Sequence, residues 1–298
     1  MTNNNENNFL NTQKPKTFSA SLALVFILFF TILNTGNTEP IIPILGFHGI
    51  IDPKASTLRS YKGEMNYQRE DLEKLLEYLV LNDYWFLSTQ DLYSFFLKKS
   101  HKISAEHRNK KTIMISFDDG YKTVHTNLLP ILYKLENKYR RRVKVVLFIN
   151  PGSLASNNSV NSVHLGCQEL REGFKKGFYD IQSHGMNHKN LTNLPRHQLV
   201  NELLQARTEL RKCTQDLDIK QTVASHFAYP YGAYTKQVKY YVSKYYLSSY
   251  LYNDKILNYA CLKDYHVIPR LMVNRQKSTQ QLIEMAKGLH PINDKEKC

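Results

Sequence analysis

Short hydrophobic runs alternate with stretches of helical periodicity along most of this 298-residue chain. Apolar runs that are bounded by turn residues predict buried strands. We expect strands near residues 42 to 48, 84 to 87, 112 to 117, 143 to 149, 178 to 183, 223 to 229, 245 to 251 and 265 to 273. Apolar positions three and four residues apart predict helices over Arg69 to Asn82, Thr89 to Lys99, Val124 to Tyr139, Gln198 to Cys213, Thr235 to Lys244 and Ser278 to Gly288.

This regular alternation of strands and helices predicts one domain built as a closed barrel of parallel strands. A doubly wound open sheet is the alternative. Gly46 to Gly49, at the end of the first strand, lacks the spacing of a dinucleotide-binding loop. Two helix starts carry capping sequences, since Ser88 and Ser278 each stand three residues before a polar partner.

The first 38 residues differ in character from the rest of the chain. Phe18 to Leu33 is apolar and nearly uncharged, and Lys14 and Lys16 precede it. This pattern predicts a secretory signal peptide or a short signal anchor. We therefore divide the chain into residues 1–38, a cytoplasmic tail plus signal segment, and the folded domain 39–298. The domain is expected to be exported: periplasmic, cell-surface or secreted, with membrane association through Phe18 to Leu33 if that segment is retained.

The net charge of +14 favours anionic surfaces without naming one. The basic clusters Arg108 to Lys111, Arg140 to Arg142 and Lys175 to Lys176 are dispersed along the chain. They lack the interleaved aromatic residues of a nucleic-acid-binding surface, so a nucleic acid is not an expected partner.

The four cysteines are too widely spaced for a structural zinc site. They permit three disulfide pairings in an oxidising compartment, or free thiols packed in the core. These residues are Cys167, Cys213, Cys261 and Cys298.

Two polar clusters follow predicted strands. Ser116 to Gly120 (Ser-Phe-Asp-Asp-Gly) follows one strand, and His184 to His188 (His-Gly-Met-Asn-His) follows another. Either cluster alone is more often a solvated turn or a pair of surface histidines. Active sites of α/β barrels lie at the C-terminal ends of the strands, however, and His48 and Pro230 to Gly232 also follow strands. Paired carboxylates and imidazoles at one mouth supply ligands for a divalent ion and a spare base.

With these motifs, the chain resembles the polysaccharide deacetylases of carbohydrate esterase family 4, the NodB-type domain. Ser116 to Gly120 is similar to the first motif of that family, His184 to His188 to the second and Ala228 to Gly232 to the third. The resemblance covers roughly residues 40 to 275. It implies a distorted (β/α) barrel of seven to eight parallel strands and makes residues 39–298 the catalytic domain of a carbohydrate N-deacetylase.

The chain departs from the family pattern in two places. A late Leu-x-His is absent, and Phe47-His48 stands early, which resembles the permuted subgroup that deacetylates poly-N-acetylglucosamine in biofilms. The resemblance therefore implies that His48, and not His266, is the acid. Phe227 occupies the place where many relatives carry an arginine. Arg270 is expected to orient the catalytic aspartate instead, with a plain salt bridge at the barrel rim as the alternative.

The resemblance implies one divalent metal ion, with zinc as the first choice and nickel, cobalt or iron as alternatives. The implied metal ligands are Asp119, His184 and His188. The implied catalytic residues are Asp118 as base, His48 as acid, Tyr231 as the oxyanion donor through its backbone N–H, and Arg270. His125 is expected on a helix face and not among the ligands.

The expected function is removal of N-acetyl groups from an extracytoplasmic polymer of the poly-N-acetylglucosamine type. A peptidoglycan or chitooligosaccharide deacetylase is an alternative within the same class. A catalytically inactive glycan-binding or matrix protein is the alternative from another class, and the complete set of acid, base and ligand residues argues against it. Residues 151 to 166 leave a strand on the active-site side and form either a substrate cover or a passive surface loop.

Overall fold

The computed structural model describes residues 41–52, 63–156 and 162–289. Phe18 to Leu33 and Cys298 lie outside these ranges, so the export signal or anchor and the domain boundary at residue 38 stay predictions. None of the helices in the described ranges combines the length and the apolar character that a bilayer crossing requires.

The strands within the described ranges are short, and most belong to one sheet. In chain order they are β1 (Ile41–Ile42), β2 (Ile44–Phe47), β3 (Ile50–Ile51), β4 (Tyr67–Gln68), β5 (Trp85–Phe86), β6 (Thr112–Phe117), β7 (Val145–Ile149), β8 (Tyr179–Ser183), β9 (Phe227–Ala228), β10 (Ser249–Tyr250), β11 (Leu257–Asn258) and β12 (Leu271–Met272).

The helices fill the connections between these strands. They are α1 (Arg69–Leu81), α2 (Thr89–Asp91, continued by the π-helical segment Leu92–Leu97), α3 (Leu129–Tyr139, preceded by the π-helical segment Val124–Leu128), α4 (Cys167–Lys175), α5 (Arg196–Thr214), α6 (Lys236–Tyr245) and α7 (Thr279–Ala286). Ser88 and Ser278 form the expected capping boxes at the starts of α2 and α7.

Seven strands of the described ranges form a parallel sheet in the order β12, β2, β6, β7, β8, β9, β10, and β5 pairs with the start of β6. Ile268 bridges to Tyr250 in β10, and Leu271 pairs with Leu45 in β2. The segment around β12 therefore links both edges of the sheet. This closure confirms the predicted distorted (β/α) barrel over the open sheet, and it brings the C-terminal strand ends to one mouth.

The alternating residues of the strands divide between two cores. On β6, Ile113 and Ile115 pack with the surrounding helices, whereas Met114 packs with Val146 and Phe148 in a second cluster. That second cluster draws residues from β2, β6, β7, β9 and β10, as the inside of a barrel does. Ser116 and Asp118 follow Met114 at two-residue spacing, so the strand period directs both toward the same interior.

The structure differs from the sequence expectations in the last third of the sheet and in one helix. The predicted strands at 223–229, 245–251 and 265–273 are reduced to two residues each. In the first of them, Ala224 adopts a left-handed φ of 52°, which interrupts the extended backbone. Helix α4 was not expected, because it is short and polar. A disulfide between Cys167 and Cys213, which belongs to one of the three permitted pairings, joins it to α5.

Candidate active site

The mouth of the barrel holds a cavity of about 920 Å³. Side chains that follow several strands line it together. Among the residues chosen from the sequence, those on the wall are His48, Asp118, Asp119, His184, His188 and Tyr231. Arg270 is completely buried and contacts this group through Asp118. The barrel therefore gathers all seven chosen residues around one opening.

Asp119, His184 and His188 form a cluster whose ligand atoms lie within 4.8 Å of one another. Asp119 Oδ1 lies 3.6 Å from His184 Nε2 and 3.3 Å from His188 Nε2. The same carboxylate oxygen is buried and accepts no hydrogen bond within the described residues. Because a buried acceptor without a partner is unfavourable, an oxygen of this kind facing two imidazoles fits a divalent metal ion.

The second nitrogen of His184 fixes its tautomer. His184 Nδ1 lies 2.8 Å from the carbonyl oxygen of Ala228, which can only accept a hydrogen bond. The proton is therefore on Nδ1, and Nε2 presents its lone pair toward Asp119, as a metal-bound histidine requires. Burial lowers the pKa of His184 to about 4 and also lowers the pKa of His188, so both rings are neutral at neutral pH.

The two adjacent aspartates have opposite pKa shifts. Burial raises the pKa of Asp119 to about 6, and the neighbouring Asp118 charge adds to this rise. Burial would also raise the pKa of Asp118, but the charge and the hydrogen bonds of the Arg270 guanidinium hold it well below its usual range. Asp118 is thus ionised across the neutral range, and it lies 3.9 Å from His184 Nε2.

Arg270 binds Asp118 through the two terminal nitrogens of its guanidinium group. Nη1 donates to Oδ1 and Nη2 donates to Oδ2, each at 2.7 Å, and Nη1 also reaches Ser116 Oγ at 3.1 Å. Arg270 Nε donates to the carbonyl oxygen of Leu251. The guanidinium lies over the Phe148 ring, 5.0 Å from its centroid. This planar, two-point contact fixes the orientation of the carboxylate.

His48 is half-buried beside the same cavity, directly after β2. Its ring meets the edge of Tyr252 at a centroid distance of 5.3 Å, and its Nδ1 is buried without a hydrogen-bond partner among the described residues. His48 lines the same cavity as Asp118 and Asp119. By contrast, His266 contacts Ser249 Oγ at 3.2 Å and is not on the wall of the cavity.

Three non-glycine residues of the site have left-handed backbone conformations. The φ angles are 69° at Asp119, 53° at His188 and 60° at Tyr231. Such conformations are unfavourable for residues with a Cβ and persist only where the surrounding structure enforces them. Tyr231 is also 66% exposed, and its ring lies 4.6 Å from that of His188. The strained backbone therefore marks the same surface as the ligand cluster.

Several residues on the cavity wall were missed by the sequence analysis. These are Met65, Asn66, Tyr121, Thr123, Tyr252 and Met272. Tyrosine is common in this chain and none of these positions lies in a motif, so no sequence signal singled them out. Ser162 and Val163, from the turn-rich segment 151 to 166, also line the cavity. His125 lies near Glu172 and Tyr179 and is not part of the ligand cluster.

Residues 105–249 match the family model described as polysaccharide deacetylase. Poly-beta-1,6-N-acetyl-D-glucosamine N-deacetylase of Staphylococcus aureus (strain MRSA252) is 26% identical over 143 residues, which cover 47% of this chain and 45% of that protein. The putative polysaccharide deacetylase YxkH of Bacillus subtilis (strain 168) is 24% identical over 196 residues, covering 66% and 58% respectively. The chain thus spans less than half the length of the staphylococcal relative.

Solved structures share the fold. The Streptococcus pyogenes deacetylase PplD in complex with acetate superposes with a TM-score of 0.66 at 20% identity, over 83% of this chain and 98% of that one. IcaB from Ammonifex degensii gives a TM-score of 0.62 at 17% identity, over 83% and 97%. At these identities, the likeness establishes the barrel architecture.

Proposed function

Because residues 105–249 match the polysaccharide deacetylase family model, we propose that the chain is a metal-dependent hydrolase that removes N-acetyl groups from an extracytoplasmic polymer of the poly-N-acetylglucosamine type. The observation that carries this proposal is the unpartnered Asp119 oxygen facing two neutral imidazoles beside an ionised Asp118. The polymer is suggested by the name of the staphylococcal relative.

Asp119, His184 and His188 would hold the metal, and two nitrogens and one oxygen suit zinc, with nickel, cobalt or iron as alternatives. When bound, such an ion lowers the pKa of a water ligand toward about 7 and polarises a carbonyl group. The protein's contribution to this step is to keep both imidazoles neutral and to fix the tautomer of His184 through Ala228.

Asp118 is the proposed general base. It accepts a proton from the attacking water, and its two-point contact with Arg270 keeps it ionised and correctly oriented for that transfer. Arg270 acts only through Asp118, so its role is positioning. Because both groups are buried, solvent screens the attraction between them only weakly.

His48 is the proposed general acid. An amide nitrogen leaves poorly as an anion, so it must be protonated as the carbon–nitrogen bond breaks. His48 lines the same cavity and carries a buried, unpartnered Nδ1. The backbone N–H of Tyr231 is the proposed donor to the oxyanion that forms on the acetyl carbonyl.

The proposal is tested by separating metal binding from proton transfer. Asp118→Asn should reduce acetate release from an acetylated β-1,6-linked glucosamine oligomer by about 10²- to 10⁴-fold and leave the metal content unchanged. His184→Ala should lose both metal and activity. Equal loss of metal in the two variants would contradict the assigned roles.

The substrate is tested with matched oligosaccharides of β-1,6 and β-1,4 linkage and with peptidoglycan fragments. Faster acetate release from the β-1,6 oligomer supports the proposed polymer. Faster release from either of the other two substrates indicates a chitooligosaccharide or peptidoglycan deacetylase. Metal binding without acetate release from any of them indicates the inactive glycan-binding alternative.

A further inference from the structure

A buried carboxylate on helix α5 contacts the loop that joins His184 to His188. Glu202 is 4% exposed and lies outside every motif found in the sequence. Its Oε2 accepts a hydrogen bond from the backbone N–H of Asn187 at 2.9 Å, and its Oε1 accepts one from Asn187 Nδ2 at 2.8 Å. Glu202 therefore fixes both the backbone and the side chain of the residue that immediately precedes His188.

Burying a carboxylate is unfavourable unless it is hydrogen-bonded and paired with a positive charge. Glu202 has such a partner, because Lys189 Nζ lies 3.6 Å from Glu202 Oε1. The helix thus presents its carboxylate to Asn187 and Lys189, the residues on either side of His188.

The two histidines of the loop are held in different ways. His184 has its own anchors, since its N–H donates to the carbonyl oxygen of Ile149 and its Nδ1 bonds to Ala228. The first half of the loop is tied to the end of β7, where Asn150 Nδ2 donates to the carbonyl oxygens of His184 and Gly185. The position of His184 is therefore fixed without Glu202.

His188 lacks comparable anchors. Within the described residues its imidazole has no hydrogen bond to the backbone, and the polar and ring contacts of its side chain are with Asp119, His184 and Tyr231. Its backbone is also left-handed, with φ at 53°. A strained residue with a half-exposed side chain stays in place only if its neighbours are fixed.

We propose that Glu202 is a positioning residue that sets His188 Nε2 against Asp119 Oδ1 by fixing Asn187. This inference rests on the proposed metal site. Partners that orient metal ligands typically change metal affinity by about 10- to 100-fold when they are replaced. Glu202 bonds Asn187 and not the imidazole of His188, so it positions His188 indirectly. It positions His188 and not His184.

The test compares Glu202→Gln and Glu202→Ala in the full chain. Gln keeps the shape of the Glu202 side chain, but its NH2 group faces one of the two Asn187 groups that donate to Glu202. Ala removes both hydrogen bonds. We expect zinc affinity, measured by competition with a chelator, to fall by about tenfold in the Gln variant and further in the Ala variant. The visible spectrum of the cobalt-loaded Gln variant should change as His188 moves. If the Ala variant does not fold, the Gln variant decides the result.

Glu209→Gln is the matched control, because Glu209 lies on the same helix, has a partly exposed side chain and pairs with Lys212. It should leave both zinc affinity and the cobalt spectrum unchanged. The Glu202→Gln variant could melt at a lower temperature without metal and still bind zinc and cobalt as the parent does. That result would give Glu202 a structural role only, and it would overturn this inference while leaving the proposed function in place. A parent chain that binds neither metal would overturn the proposed function together with it.

Discussion

Two aspartates of the same barrel, Asp118 at the mouth and Asp180 near the opposite end, have opposite electrostatic environments. Asp118 faces the Arg270 guanidinium, which holds the pKa of that carboxyl low against the effect of burial. Asp180, at the start of β8, accepts from the N–H and hydroxyl of Thr89 and from Gln182 Nε2, all uncharged donors. Burial raises the pKa of Asp180, and these donors offset the rise only in part.

The comparison shows that the uncharged donors, together with the charge of Lys144, do not cancel the effect of burial on the pKa of Asp180. The Arg270 guanidinium more than cancels that effect at Asp118, where the proposed chemistry needs a base. Buried ion pairs are weak contributors to stability, since an apolar pair of similar volume is often as favourable. The Arg270–Asp118 pair is therefore best explained by the proposed reaction, and Asp180 by local structure at the start of α2.

The largest effect is expected from removing the cation at the mouth. Arg270→Ala leaves Asp118 buried and unpaired, so we expect the free energy of unfolding to fall by about 3 to 5 kcal/mol. Turnover should fall with it. Denaturant unfolding in the presence of a metal chelator measures the first effect and acetate release the second.

The control for this variant is the double change Arg270→Ala with Asp118→Asn, which removes the unpaired charge and should recover part of the lost stability. If Arg270→Ala folds normally and keeps full turnover, the positioning role is wrong. If the single variant is no less stable than the double variant, the Asp118 charge is not what makes the loss large.

A smaller effect with a defined pH dependence is expected at Asp180. Its raised pKa means that the folded state holds this proton more tightly than the unfolded state. The contribution of Asp180 to stability therefore falls as pH rises above the unfolded value of about 3.9, and an asparagine has no such dependence. Asp180→Asn should gain stability relative to the parent as pH rises above about 4, as measured by urea unfolding with a metal chelator. If the difference in unfolding free energy between Asp180→Asn and the parent stays constant with pH, or falls as pH rises, the pKa of Asp180 is not raised in the folded state.

The smallest effect is expected from weakening the uncharged donors around Asp180. Thr89→Val keeps the volume of a fully buried side chain and removes one of its two hydrogen bonds to Asp180. We expect a loss of about 1 kcal/mol in the free energy of unfolding, because the Thr89 N–H and Gln182 remain. A loss as large as that of Arg270→Ala would show that uncharged donors matter as much as the ion pair.

Much of the fold was predictable because its signals are local. Apolar runs such as Thr112–Phe117 and Val145–Ile149 gave strands close to their observed limits, and helical periodicity gave α1 and α5. Helix α4 was missed because its sequence is polar and its attachment depends on a cysteine in another helix. The short strands β9, β10 and β12 were overestimated because their hydrogen bonds are set by barrel closure and local turns.

The site was predictable where chemistry and strand ends coincide along the chain. Asp118, Asp119, His184 and His188 lie in motifs, and His48 follows a strand directly. Glu202 and Tyr252 lie in no motif, so their place at the site depends on which helix or loop packs against the mouth. A residue's distance along the sequence does not report such packing.

The sequence by itself determined that strands and helices alternate, that polar clusters follow strands and that the chain resembles a known family. Each of these signals lies within a short stretch of neighbouring residues. Only the tertiary structure decided which disulfide joins α4 to α5, that Arg270 holds Asp118 by two contacts, and that Glu202 reaches Asn187. The physical reason is that these contacts join segments far apart in the chain, and barrel closure, not local preference, sets the distances between them.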